Sequence, residues 1–265
     1  MYAKQEAALD WNPDTYARFS DHRLRPALDL LASVGPLPDG PVVDLGCGAG
    51  AVGPDLQARY GERVLTGVDN SPAMLAKAQA KGAYDALREA DIAQWQGGPF
   101  ALIYSNATLH WLGDHDALLP RLAGMLEPGG TLAVQVPHQN DAPSHATWVR
   151  LMDGMFPGRR APDGPGILTA PEYFEILAPL GAAQVWETEY LQRLEPVAQG
   201  HPVRHFTEST FARPILNALS APEQSDLIAA YEAEMAQAYP LRPDGSALFP
   251  FRRLFFTLTI PGGEI

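Results

Sequence analysis

Val43-Asp44-Leu45-Gly46-Cys47-Gly48-Ala49-Gly50 is the stretch whose reading decides this chain. A short apolar run, Gly40 to Leu45, ends at three glycines spaced two apart, and a helical pattern follows from Val52 to Tyr60. That is a buried strand turning into a helix. Glycines at this spacing let the backbone approach a bulky ligand without Cβ collisions. Asp69 ends the next strand, 19 residues after Gly50. An acid placed there can bind both hydroxyls of a ribose.

The spacing is not that of a dinucleotide site. A pyrophosphate-binding turn sets its last two glycines three apart, and here they lie two apart, with an acid, Asp44, before the first. A carboxylate beside the loop suits a ligand with a cationic amino-acid end. Those facts favour S-adenosylmethionine, with its ammonium and sulfonium, over a nicotinamide dinucleotide.

Outward from this loop, strands and helices alternate. Arg63 to Val68 is a second strand, and Ser71 N-caps a helix that has Pro72 at its first position and runs to Lys81. Tyr84 to Ala90 and Phe100 to Tyr104 are the third and fourth strands. Asp114 to Leu126 is helical, Glu127 to Gly130 a turn, and Thr131 to Val136 the fifth strand. Strands separated by helices imply a parallel sheet covered on both faces. After Pro137 the rhythm breaks. Helices are predicted over Ala142–Met155, Pro171–Leu180, Val203–Leu219 and Pro222–Ala238, and late strands over Gln184–Leu194 and Leu254–Ile260. Insertions of this kind cover a ligand at the carboxyl edge of a sheet.

Composition narrows the class of protein. A hydrophobic fraction of 46% and a charged fraction of 19% are those of a globular core. The formal charge of −12 disfavours nucleic-acid binding. Cys47 is the single cysteine, so neither an internal disulfide nor a thiolate zinc site forms. His201 and His205 lie four apart across Pro202 with no nearby carboxylate, and no metal is expected. The segment from Met1 to Glu6 has no apolar run, and no stretch approaches the ~20 apolar residues of a membrane span. The expectation is a cytoplasmic protein, a monomer or weak dimer, that acts on a small molecule without membrane or nucleic-acid partners.

The glycine loop with its preceding acid resembles the first motif of class I S-adenosylmethionine-dependent methyltransferases. Other stretches resemble trans-aconitate 2-methyltransferases: Trp11-Asn12-Pro13-Asp14-Thr15-Tyr16-Ala17-Arg18-Phe19 with Arg23 and Arg25-Pro26; Ala90 to Trp95; Leu132 to Pro137; Ala170 to Phe174; Arg213-Pro214; and Ala238-Tyr239-Pro240 with Leu248 to Phe255. The likeness covers nearly the whole chain. It implies a Rossmann-like α/β fold with seven strands, mostly parallel, in the order 3-2-1-4-5-7-6, the last strand antiparallel, with helices on both faces. The corresponding organisation is a helical lid over residues 1–35, a cofactor-binding core over 36–137, and a helical cap with the last two core strands over 138–265. The implied cofactor residues are Gly46, Cys47, Gly48, Asp69 and Asn70 on the first two loops, Asp91 and Ile92 for the adenine, and Asn106, Tyr16 and Arg23. The implied acceptor residues are Trp11, His110, Trp111, Phe206 and Arg213. His110 stands where relatives often have glutamine, and Phe206 and Phe211 replace an expected tryptophan and glycine.

The implied reaction is methyl transfer to a carboxylate of a small polycarboxylic acid, leaving S-adenosylhomocysteine. A carboxylate is already ionised at neutral pH, so no general base is required. His110 would act as one only on a hydroxyl or amine acceptor. Lysines occur only at 4, 77 and 81, whereas nine arginines lie at or beyond Arg150, and arginine forks suit the non-reacting carboxylates. Arg213 is the expected anchor. The alternatives are a methyltransferase of the same fold acting on another small molecule or a carrier-bound acid, and a non-catalytic S-adenosylmethionine-binding protein.

Overall fold

The computed structural model describes residues 20–159 and 166–263. Seven strands form one sheet: β1 (Val42–Leu45), β2 (Leu65–Asp69), β3 (Ala86–Glu89), β4 (Phe100–Asn106), β5 (Leu126–Pro137), β6 (Ala182–Leu194) and β7 (Ala247–Thr259). Their order is β3-β2-β1-β4-β5-β7-β6, with β1 to β5 mutually parallel and β7 antiparallel to both its neighbours. β1 is buried throughout and β4 for six of its seven residues. Central parallel strands are covered on both faces, so they read as unbroken apolar runs.

Between the strands lie α1 (Ser20–Ser33), α2 (Gly53–Tyr60), α3 (Pro72–Lys81), α4 (His115–Ala123), α5 (Pro143–Met155), α6 (Ala170–Leu177), α7 (Pro202–Glu208), α8 (Arg213–Asn217) and α9 (Ala221–Ala238). α3 has the ends its sequence dictates: the Ser71 side chain accepts from the Met74 N–H, and Gly82 closes the helix in the left-handed region. α1 covers one sheet face, packing Ala27 and Leu30 with Leu102, Tyr104 and Phe255. The Tyr104 hydroxyl donates to the Ala27 carbonyl at 2.7 Å. The other face packs Leu45, Ile103 and Val134 with Leu119 and Leu122 of α4. A third core joins Trp148 of α5, Phe206 of α7 and Tyr231 of α9 to Phe249 and Phe251 of β7.

Three elements differ from the sequence prediction. The Val203–Leu219 helix is two short helices, α7 and α8. Pro214 lacks an N–H and clashes with a preceding turn, so the helix restarts with this proline in its first turn. The Glu127–Gly130 turn lies inside β5 as an irregularity: Phe100 pairs with Leu126, and the register shifts before Leu102 meets Thr131. β7 begins at Ala247 rather than Leu254. Pro250 argues against a strand locally, but β6 pairs along its whole length, and the Gln139 side chain donates to the Pro250 carbonyl at 2.8 Å.

Candidate functional site

The three loop glycines have three different surroundings. A Cβ on Gly46, φ +77°, would sit 2.1 Å from the Thr108 hydroxyl oxygen, and one on Gly50, φ +69°, would crowd Ala78 at 3.1 Å. Those two let the loop lie against its neighbours. Gly48, φ +53°, has nothing within 4 Å of its Cβ position. Its N–H donates to Asp69 Oδ2 at 2.9 Å, while the Ser71 N–H donates to Asp69 Oδ1, also at 2.9 Å. The Asp69 carboxylate is thus fixed at the rim of open space with lone pairs left over for further donors. Asn70 beside it is exposed.

Beyond β3, Asp91 is exposed and accepts from the Ala93 N–H at 2.9 Å, and Ile92 is buried. Arg121 of α4 donates to the Ile92 carbonyl at 2.8 Å and so pins this loop. Asp44 lies beneath the glycine loop, only 3% exposed, and accepts from the Tyr84 hydroxyl at 2.7 Å. Burial pushes its carboxyl up to about 7; the Tyr84 bond opposes the rise and the Asp69 charge adds to it. Burial, with the charges of Asp44 and Asp69, also raises the Cys47 thiol, which makes it an inert filler.

A cleft of about 730 Å³, counting its mouth open to solvent, lies where β4 and β5 end and the cap begins. It brings Asn106, His110 and Trp111 together with Phe206, Phe211 and Arg253. Thr108 ties this edge to the glycine loop, lying 3.2 Å from the carbonyls of both Gly46 and Asn106. Asn106 Oδ1 and His110 Nδ1 are buried with no hydrogen-bond partner among the described residues. The same is true of both side-chain polar atoms of Gln135, the β5 residue paired with Asn106. Leaving such groups unpaired costs about 1–3 kcal/mol each, a cost that a polar ligand relieves. Burial, and then the Arg253 charge, hold the His110 imidazole neutral, its pKa lowered to about 3. Trp111, 42% exposed, sits against that ring at 4.5 Å.

Arg213 does not join the cleft; it is exposed on α8. The buried cation there is Arg253, 4% exposed, with its guanidinium 4.4 Å from the centre of the Phe251 ring. A signal for it stood in the sequence. Arg253 takes the inward phase of a strand whose other inward residues are Phe249, Phe251 and Phe255. His145 also joins the cleft. It is buried at the cleft on α5, with Nδ1 2.9 Å from the Ser144 hydroxyl and its ring 4.5 Å from Phe211. Trp11, Tyr16 and the Arg23 side chain lie outside the described residues, as does most of the expected lid.

His201 and His205 hydrogen-bond through Nε2 to the carbonyls of Tyr239 and Gln199, at 3.0 and 2.7 Å. Among the described residues no group of three or more potential metal ligands assembles, and no helix is long and apolar enough to cross a membrane.

Residues 42–130 match a family model described as a methyltransferase domain. Over its length the chain is similar to trans-aconitate 2-methyltransferases: 38% identical to that of Paracidovorax citrulli, with 93% of this chain and 96% of the relative covered. The Methylobacterium nodulans enzyme is 41% identical over the same shares, and that of Streptomyces avermitilis 41% identical over 94% and 96%. Among solved structures, the YcgJ protein of Bacillus subtilis matches with a TM-score of 0.57 at 14% identity, covering 91% of this chain and all of that one (100%). The Streptomyces coelicolor geranyl diphosphate C-methyltransferase, complexed with S-adenosyl-L-homocysteine, matches with a TM-score of 0.52 at 18% identity, covering 93% and 82%. At these identities the structural likeness speaks for the fold.

Proposed function

The chain belongs to the trans-aconitate 2-methyltransferase family of S-adenosylmethionine-dependent enzymes, and from that premise we propose that it methylates a carboxylate of trans-aconitate. The cofactor supplies an electrophilic methyl group on a sulfonium. The observation that carries the reading is the continuity of two half-sites: the open cradle at Gly48 and Asp69, and the cleft at Asn106 and His110, joined through Thr108.

The residues present fit these ligands. Asp69 receives the ribose hydroxyls, because its carboxylate is already oriented by two backbone N–H groups. Gly46, Cys47 and Gly48 form the wall against the amino-acid end, with Asp44 below as the nearby acid. Asn70, Asp91 and Ile92 border the adenosine. Asn106 and Gln135 meet the reacting end of the acceptor with neutral polar groups. His110 does the same and accepts no proton at neutral pH. This suits an acceptor that is already an anion. Oxygen attack on carbon needs alignment and exclusion of water rather than proton transfer. Trp111, Phe206 and Phe211 supply the apolar walls.

The test is direct. Incubation of the full chain with isotopically labelled S-adenosylmethionine and trans-aconitate is expected to yield a labelled monomethyl ester by mass spectrometry. Label appearing only in products of other acids, or of hydroxyl or amine acceptors, would replace the substrate but keep the donor.

A further inference from the structure

We propose that Arg253, with His145 beside it, is the specificity determinant that seats a non-reacting carboxylate of the acceptor. This assignment rests on the reading above that the acceptor is a polycarboxylate.

The topology sets the two ends of the acceptor apart. Asn106 on β4 pairs with Gln135 on β5, and two residues further along β5 Pro137 pairs with Arg253 on β7. Directly paired residues, and those two apart along a strand, share a sheet face. Asn106 and Arg253 therefore stand on the same face, two strand spacings apart across the sheet and two residues apart along it, or about 12 Å between backbones. Both line the cleft. A side chain reaching in from each end leaves a gap on the scale of a short acid with two carboxyl groups a few bonds apart.

The charges of the cleft are uneven along that line. Among the described residues no carboxylate lines it, although the chain as a whole carries −12. Arg253 is its buried cation, and the Arg253 charge acts on both His110 and His145. The Ser144 hydroxyl lies 2.9 Å from His145 Nδ1. His145 thus adds an uncharged polar ring at the Arg253 end. At the other end Asn106 and His110 are neutral. A carboxylate locked in a guanidinium fork is a poorer nucleophile than one held by neutral groups, because the ion pair stabilises the charge that must attack. The arrangement binds one carboxylate tightly at Arg253 and leaves another free to react at Asn106. It favours di- and tricarboxylates over monocarboxylates and directs which carboxyl group is methylated.

Calorimetry on the full chain saturated with S-adenosylhomocysteine tests this. The acceptors are trans-aconitate and its trimethyl ester, which keeps the carbon skeleton and carries no carboxylate. Arg253→Met and Arg253→Lys are compared with the parent, and unchanged S-adenosylhomocysteine binding reports that each is folded. Trans-aconitate binding is expected to weaken at least ~30-fold in Arg253→Met, with Arg253→Lys intermediate, while any affinity for the uncharged trimethyl ester changes by less than about threefold. Should the methionine variant not fold, the lysine variant carries the test, since it keeps the charge and loses the fork. Parent-like trans-aconitate binding in the folded variants overturns the assignment, as does an equal loss toward the acid and its uncharged ester. If the parent itself does not bind trans-aconitate, the reading of the acceptor falls instead.

Discussion

Each glycine of the loop carries a different burden, and substitution separates them. Gly46→Ala drives a methyl group into Thr108, so it is expected to lower the thermal midpoint by many degrees. Gly48→Ala meets open space and costs only about 1–2 kcal/mol for its left-handed backbone. Its methyl fills the cradle, so cofactor affinity is expected to fall while the fold survives; parent-like S-adenosylhomocysteine binding by calorimetry would refute that use of Gly48. Asp69→Ala removes the oriented carboxylate and is expected to weaken cofactor binding about tenfold or more. His110→Gln keeps a neutral polar group where no base is needed. A small change in kcat/KM is expected, with no new limb in its pH profile; loss of activity together with loss of the acid-side limb would indicate a hydroxyl or amine acceptor.

Among the elements, the cap is the one that the acceptor depends on. α5, α7 and α9 are joined by the Trp148 ring, stacked on Tyr231 at 3.8 Å, with its indole N–H donating to the Thr207 hydroxyl at 3.0 Å. Phe206, one residue from Thr207, walls the cleft. Trp148→Ala is expected to cost about 3–5 kcal/mol and to raise KM for the acceptor more than Kd for S-adenosylhomocysteine. The cofactor loops rest on β1, β2 and α3, away from this core. Equal losses of both ligands in denaturation-corrected titrations would show that the two halves are not separable. The helical periodicity of 203–219 concealed the α7–α8 break because apolar spacing continues across it. Only the proline at 214 marks it.

For the whole molecule, the buried titratable groups pull stability in opposite directions. Asp44, raised from 3.8 to about 7, favours the fold at low pH; that contribution is lost as pH rises from about 4 to about 7. His110 and His145, lowered from 6.5 to about 3, favour the fold fully above about 6.5 and lose that contribution as pH falls. His201, also lowered by burial, acts the same way. Between about pH 5 and 6.5 the histidines outnumber the one acid, so stability rises with pH and is greatest near pH 6.5. Denaturant midpoints across this range check the prediction. In the double variant His110→Gln/His145→Gln the rise should largely vanish or reverse. A slope like that of the parent would mean that the two rings are not the source.

Residue pattern was enough for the sheet, with its order through the resemblance, and for the expectation of a cofactor site at the glycine loop. Those features are local: a strand, a glycine turn and an acid at the next strand end lie within some 30 residues, and buried parallel strands announce themselves as apolar runs. Most of the cap helices were legible from period alone. The acceptor half was legible only in part: His110, Trp111 and Phe206 stood in the expected segments, whereas Arg253 and His145 come from β7 and α5 and meet them only when β7 inserts between β5 and β6. Sequence pattern pointed to Arg213, which is exposed, and passed over Arg253. Which arginine is buried depends on strand phase and on what packs over it, and that packing is set by contacts between segments far apart in the chain.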